Sequence, residues 1–428
     1  MKAGARQCAA EILVQVLASK RPFDEAIARH IAIAELEPRD RNFARLMVMT
    51  VLRRLGQIDA LLAQMLEKPL EGKSTTVMQC LRLGVAQLVW LDTPAHAAVH
   101  DTVETVNTMG FERMKGLVNA VLKRVAREGK ERIAAQDEAT LNLPAWLYAS
   151  FKETYGESTA RAIGLACLGE PPLDITVKAD LEQWAKALGG VALPSGSLRL
   201  HTAGKVDALE GYHEGAWWVQ DVAASLPVAL LGDVQGKTVL DLCAAPGGKS
   251  AQLGAAGARV VAVDQSKRRL ELLSANMQRL ALSVDTVEAD ILRWKPEFTP
   301  DAILLDAPCS ATGTLRRHPE VAWLRTQGDV SELAGIQKRL LRRVAGWLGA
   351  GGKMVYCVCS LQKEEGEEQT EAFLREHPDF KVVTPPQNWK GAAYGVIDAL
   401  GALRTHPACL PEAGGMDGFY AICYQRIK

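Results

Sequence analysis

From Lys237 onward the chain alternates short apolar runs with stretches of helical period, and no other feature restricts the fold as much. The runs are TVLDL (238–242), RVVAVD (259–264), AILLDA (302–307) and KMVYCV (353–358), with helices predicted after Gly248, over 267–280 and over 330–348. A strand followed by a helix cannot fold back as a hairpin. The next strand therefore lies parallel to it, and the helices cover both faces of the sheet. Sheets of this kind bind ligands outside the carboxyl ends of their strands. Four acids, Asp241, Asp264, Asp290 and Asp306, fall at or just beyond those ends. Each alone is equally well explained as a cap for the helix that follows it; the set of four is not.

With 428 residues, the chain exceeds one ordinary core. Residues 1–130 carry helical period throughout, with Ile12, Leu13, Val16 and Leu17 on one face of a first helix and Phe43, Leu46, Met47 and Val51 on the inner face of a later one that Asp40 can cap. The charged run EGKERIAAQDEAT, 128–140, reads as a linker or an exposed helix, and the linker is set at 131–142. Residues 143–235 read as a small mixed α+β subdomain, expected to bind RNA and to belong with the following module, with β-like pieces at 173–177, 197–201 and 216–220, and 236–428 form the α/β catalytic domain. The longest apolar stretch, 77–91, is broken by Gln79, Arg82 and Gln87 and reads as a buried helix rather than a membrane span. The first residues show no cleavable signal pattern, so a cytoplasmic protein with no membrane partner is expected. Nine cysteines without zinc spacing argue for free thiols and no metal. Fifty basic residues balance fifty acidic ones, so any surface for nucleic acid must be a local patch.

Two places carry chemistry. The turn from Asp241 through Cys243, Ala244, Ala245, Pro246, Gly247, Gly248 and Lys249 joins a strand to a helix, where glycines allow close backbone approach and free helix N–H groups favour anionic ligand groups. Cys309 and Cys359 each follow an apolar strand and open a polar loop at that same sheet edge, where a thiol can reach a ligand. Cys8, Cys80, Cys167, Cys357, Cys409 and Cys423 read as small buried hydrophobes, and Cys243 as part of the turn. Spacing does not say which thiol of the pair would attack.

The segments DLCAAPGGKS, DAPCSATGTLRRHPEVAW, VCSLQKEEGEEQ and GGMDGFYAICYQR resemble the signatures of RNA cytosine-C5 methyltransferases of the NOL1/NOP2/Sun class. RDRNFARLMVMTVLRRLGQIDALL, LRLGVAQLVWL, AHAAVHDTVE and KGLVNAVLKRV resemble a NusB-like RNA-binding domain. Lys178, Val358 and Gly366 depart from the family pattern. The resemblance implies a Rossmann-like class I methyltransferase domain behind an all-α NusB-like domain, acting as a monomer on RNA, with 16S rRNA as the expected substrate. It implies S-adenosylmethionine on residues 243–249, with Asp264 at the ribose, Asp290 near the adenine and Asp306 beside it. It also implies Cys359 as nucleophile, Cys309 in product release, and Asp306 and Lys249 as polar contacts to the base. The chemistry agrees. Carbon 5 of cytosine is a poor nucleophile until another group adds to C6, a step suited to a thiolate. Candidate RNA contacts are Arg316, Arg317 and His318 after the Cys309 motif, and Lys123, Arg124 and Arg127 at the end of the first domain. The alternatives are the same chemistry on transfer RNA or another ribosomal site, and a non-catalytic assembly factor built on the helical domain.

Overall fold

The first helix, Ala5–Leu17, turns Ile12, Leu13 and Val16 fully inward, as its period requires. The computed structural model describes residues 3–68, 70, 75–201 and 204–428. They form two compact units, one of residues up to Gly169 together with Leu315–Thr326, the other of Glu170–Thr314 with Gln327–Lys428.

The first unit is helical. Pro38–Arg53, Leu55–Met65, Thr75–Val89, Ala95–Thr108 and Lys115–Ala134 pack with the first helix around one apolar core. Pro38 starts its helix behind Glu37, so Asp40 lies inside the first turn, where its charge favours the helix N-terminus, and is not the cap. The buried face runs through Ala44, Met47, Val48, Val51 and Leu52, which leaves Leu46 exposed.

The expected domain limits need correction. Helix Lys115–Ala134 runs into the expected linker, and Glu138–Leu141, Ala145–Tyr155 and Glu157–Ala166 belong to the helical unit. Asn142 is buried there, accepting from the Gln57 backbone N–H at 3.1 Å and donating to Gln57 Oε1 at 2.9 Å. The charges that suggested a linker are spent on local pairs such as Arg161–Asp137 at 2.7 Å, while Ile133 and Ala139 are buried.

Among the described residues, the second unit holds twelve strands: β1 Leu173–Val177, β2 Val191–Ala192, β3 Ser197–Leu200, β4 Trp217–Val219, β5 Thr238–Leu242, β6 Arg259–Asp264, β7 Val284–Glu288, β8 Ala302–Asp306, β9 Lys353–Val358, β10 Phe380–Val382, β11 Leu403–Arg404 and β12 Tyr420–Arg426. The first four make an antiparallel sheet in the order β2-β3-β1-β4. The others follow the order β10-β12-β9-β8-β5-β6-β7, parallel from β9 to β7, with β12 antiparallel beside β9 and β11 paired to β12. Side-chain alternation sends Leu240, Leu242, Ile303, Leu305 and Tyr356 to the core on one face, and Val239, Leu304, Val355 and Cys357 to the core on the other. The chain leaves β5 toward β6 and β7, then returns to β8 on its other side. That reversal opens a crevice at the carboxyl ends of β5 and β8.

The small sheet belongs to this unit. Arg199 on β3 pairs with Asp174 on β1 through two 2.7 Å contacts, both side chains fully buried, and its remaining donor reaches the carbonyls of Ala413 and Gly415 at 2.7 and 2.8 Å. Lys178, one of the departures from the family pattern, donates to the Leu280 carbonyl at 2.8 Å.

Candidate active site

Strand register decides which groups meet. Asp306 ends β8 directly opposite Cys357 of β9, and the Cys357 thiol approaches Asp306 Oδ1 at 3.4 Å. Asp306 Oδ2 accepts from Lys249 Nζ at 2.8 Å. Burial is the largest single influence on Lys249 and opposes its charge, but the Asp306 carboxylate together with the Cys357 and Cys359 sulfurs outweighs it and leaves the ammonium harder to deprotonate than an ordinary lysine. The same Nζ lies 5.0 Å above the Phe419 ring, and the cluster containing Phe419 and Met416 also packs against Cys359.

Beyond β8 and β9 the two loops bring Cys309 and Cys359 together, with sulfurs 3.4 Å apart. Their hydrogen bond, then burial, then the nearby charges push the Cys309 thiol well above its usual range. The approach depends on a glycine. Gly313 N–H donates to the Cys359 carbonyl at 3.0 Å and its own carbonyl accepts from Gly418 N–H at 2.8 Å, while a Cβ on Gly313 would stand 1.9 Å from the Gly418 oxygen.

The cofactor turn lies at the carboxyl end of β5. Gly247 has φ +102°, and a side chain there would also strike Leu273. Asp264 is buried, accepting from Ala245 N–H at 3.2 Å and Ser266 N–H at 3.0 Å, with Arg269 at 3.3 Å. It therefore shapes the turn as well as facing the crevice, and each oxygen keeps a second lone pair. Asp290, two residues past β7, caps the next turn through Leu292 N–H at 2.9 Å and remains exposed. Asp241 is fully buried. Its Oδ2 takes the Ser250 hydroxyl at 2.5 Å and its Oδ1 has no partner. That orphaned oxygen, the acids at the strand ends and the first-turn N–H groups of helix Gly248–Ala255 fit a ligand with hydroxyl donors and an anionic end, as S-adenosylmethionine has.

Two predictions arise here. Replacing Asp264 by alanine should weaken binding of S-adenosylmethionine by about 1–3 kcal/mol; unaltered affinity by calorimetry would reduce Asp264 to a structural tie. Burial raises the Asp241 carboxyl to about 7. The folded state then holds a proton that the unfolded chain releases near the ordinary carboxyl value, so the stability from this group is full below that value and declines as pH rises toward about 7. Asp241→Asn should flatten that decline, by up to about 4 kcal/mol, and melting temperatures of both proteins between pH 4 and 8 measure the difference.

The candidate RNA residues fare unequally. Arg316 is buried, and its carbonyl accepts from Arg53 Nη2 at 3.1 Å, so its guanidinium does not face an RNA; Leu315–Thr326 packs as part of the helical unit. His318 lies 3.5 Å from the buried Glu320, and Arg317 is half-buried. Lys123 and Arg127 are exposed on helix Lys115–Ala134, with Arg124 and Arg127 each 3.6 Å from Glu128. Sequence reasoning gave Cys357 and Phe419 no place at this site. Only Cys357 carried a usable signal, since residues two apart along an extended chain share a face and Cys359 was already singled out.

Residues 228–425 match the family model described as 16S rRNA methyltransferase RsmB/F, and residues 3–127 match the NusB family. The ribosomal RNA small subunit methyltransferase B of Vibrio cholerae is 33% identical over 97% of this chain and 96% of its own, and that of Serratia proteamaculans 35% identical over 81% and 85%. The crystal structure of PH0851 covers 100% of both chains with a TM-score of 0.80 at 21% identity, a likeness of fold. Because a relative at this identity spans both the helical unit and the two-thiol sheet edge from end to end, the chain belongs to the RsmB/F family of 16S rRNA methyltransferases.

Proposed function

We propose that this chain methylates carbon 5 of a cytosine in 16S rRNA, through a covalent bond between Cys359 and C6 of the base. The observation that carries the reading is the pair of thiols 3.4 Å apart at the sheet edge where the Asp306–Lys249 pair also lies. Residues 243–249, Asp264 and Asp290 would hold S-adenosylmethionine, which when bound would supply an electrophilic methyl group.

The residues divide the work as follows. Cys359 sulfur adds to C6, which pushes the C5=C6 pair onto C5 and, through the ring, onto N3. Asp306, oriented by Lys249 at 2.8 Å, hydrogen-bonds the base edge and favours the N3-protonated ring as negative charge builds there. Cys309 keeps its proton and donates to the sulfur of Cys359, so it stabilises that sulfur when it departs as a thiolate. The target cytosine must leave any stack to reach both thiols. Lys123, Arg124 and Arg127 offer phosphate contacts that position the RNA without reading its sequence.

Retention of both thiols, Asp306 and the glycine turn favours catalysis over a scaffold role, which needs none of them. Bisulfite sequencing of ribosomal and transfer RNA from cells with and without the gene tests the reading. Loss of one protected cytosine in 16S rRNA is expected. Loss confined to transfer RNA would move the substrate, and no loss in either would overturn the activity.

A further inference from the structure

Cys309 and Cys359 lie on different loops, fifty residues apart in sequence, and a spacing of 3.4 Å between their sulfurs needs something that ties the loops together. One fully buried side chain does so. Glu365 Oε1 accepts from the backbone N–H of Ser310 at 2.9 Å and from Gln337 Nε2 at 3.0 Å. Its Oε2 accepts from the hydroxyls of Ser310 and Ser360, each at 2.5 Å. Ser310 directly follows one thiol and Ser360 the other, so the two oxygens of one carboxylate hold both cysteine loops. Gln337 extends the tie by donating to the carbonyl of Pro308, the residue before Cys309, at 2.9 Å. The Tyr356 hydroxyl donates to the Glu365 carbonyl at 2.5 Å and fixes the 3-10 turn Lys363–Glu365 that carries the carboxylate. Burying a carboxylate is costly unless its lone pairs are filled, and here four donors fill them. A neutral apolar residue would close the same space at less cost, so retaining the charge at this place calls for a function.

We infer that Glu365 is a positioning residue for the reaction proposed above, setting the distance between the two thiols and thereby governing release of the methylated base. The inference rests on that reaction. Addition to C6 uses Cys359 alone. In release, the C5–H pair forms the C5=C6 bond, the C5 proton passes to water, and the C6–S pair returns to Cys359 as a thiolate that the Cys309 S–H stabilises. Only release needs both sulfurs at a fixed spacing, so loosening the tie should slow that step more than addition.

The test uses full-length Glu365→Gln, which keeps the volume but cannot accept at both positions, and Ser310→Ala, which removes one donor and leaves Glu365 in place. With RNA and S-adenosylmethionine, steady-state turnover should fall about ten- to a hundred-fold for Glu365→Gln, the scale for misplacing a reacting group by about an ångström. Ser310→Ala should show a smaller fall in the same direction. Single-turnover methyl transfer and S-adenosylmethionine affinity should stay near wild type, and a protein–RNA adduct should accumulate on denaturing gels. Unchanged turnover and no extra adduct in both variants would overturn the inference. So would an equal fall in transfer and release, or lost cofactor binding, in the Ser310→Ala protein, since these mark a merely structural role. Failure of the proposed reaction reads differently: the wild-type protein itself would neither methylate cytosine nor form an adduct.

Discussion

Cys359→Ala is expected to lower methylation by about three orders of magnitude or more, because removing the group that makes the covalent bond leaves only positioning and electrostatics. Binding of S-adenosylmethionine should be unchanged, since the turn at 243–249 and Asp264 are held by contacts that do not include this thiol. Cys309→Ala should behave oppositely at the level of intermediates. The nucleophile remains, so addition and methyl transfer proceed, but the departing thiolate loses its hydrogen-bond donor and the enzyme accumulates as an RNA adduct. A denaturing gel separates the two. An adduct with Cys359→Ala and none with Cys309→Ala would exchange their roles, and full activity in Cys359→Ala would remove it from the mechanism.

The largest loss of stability is expected at Arg199. Its guanidinium is fully buried with both branches committed, one to Asp174 and the other to the carbonyls of Ala413 and Gly415. Arg199→Ala would leave Asp174 charged, buried and unpaired except for the Val222 N–H at 3.0 Å, and would strip two carbonyls of their donor. Breaking such a pair from one side costs about 3–5 kcal/mol, far more than the net worth of the pair itself. Replacing both partners by apolar residues of similar volume should therefore do less harm than the single change. Urea unfolding of the two single variants and the double variant measures this; a loss below about 1 kcal/mol for Arg199→Ala would show that the site is wetter than its burial implies.

Much of the molecule was legible because the responsible physics is local. The alternation of strand and helix period after Lys237 prescribed the parallel part of the sheet, and β5, β6, β8 and β9 stand where the apolar runs were read, while the antiparallel β10, β11 and β12 were not foreseen. The three β-like pieces of the middle segment became β1, β3 and β4. The glycine turn and the acids at the strand ends were readable because backbone freedom and end position are properties of single residues in a known periodicity. The charged run left linker and exposed helix both open, because charge density does not reveal whether one apolar residue per turn is buried, and Ile133 and Ala139 are.

The sequence by itself determined the parallel part of the sheet and set two thiols and four acids at or near its carboxyl edge, since each follows from periodicity and residue type. Tertiary structure alone decided that Cys309 and Cys359 touch, that Cys357 faces Asp306, that Arg316 is buried rather than offered to RNA, and that the small sheet is bolted to the catalytic unit by Arg199. Each of these depends on strand register, or on hydrogen bonds between residues fifty to more than two hundred and sixty positions apart, where a shift of one residue would turn the same side chains to the opposite face of the sheet.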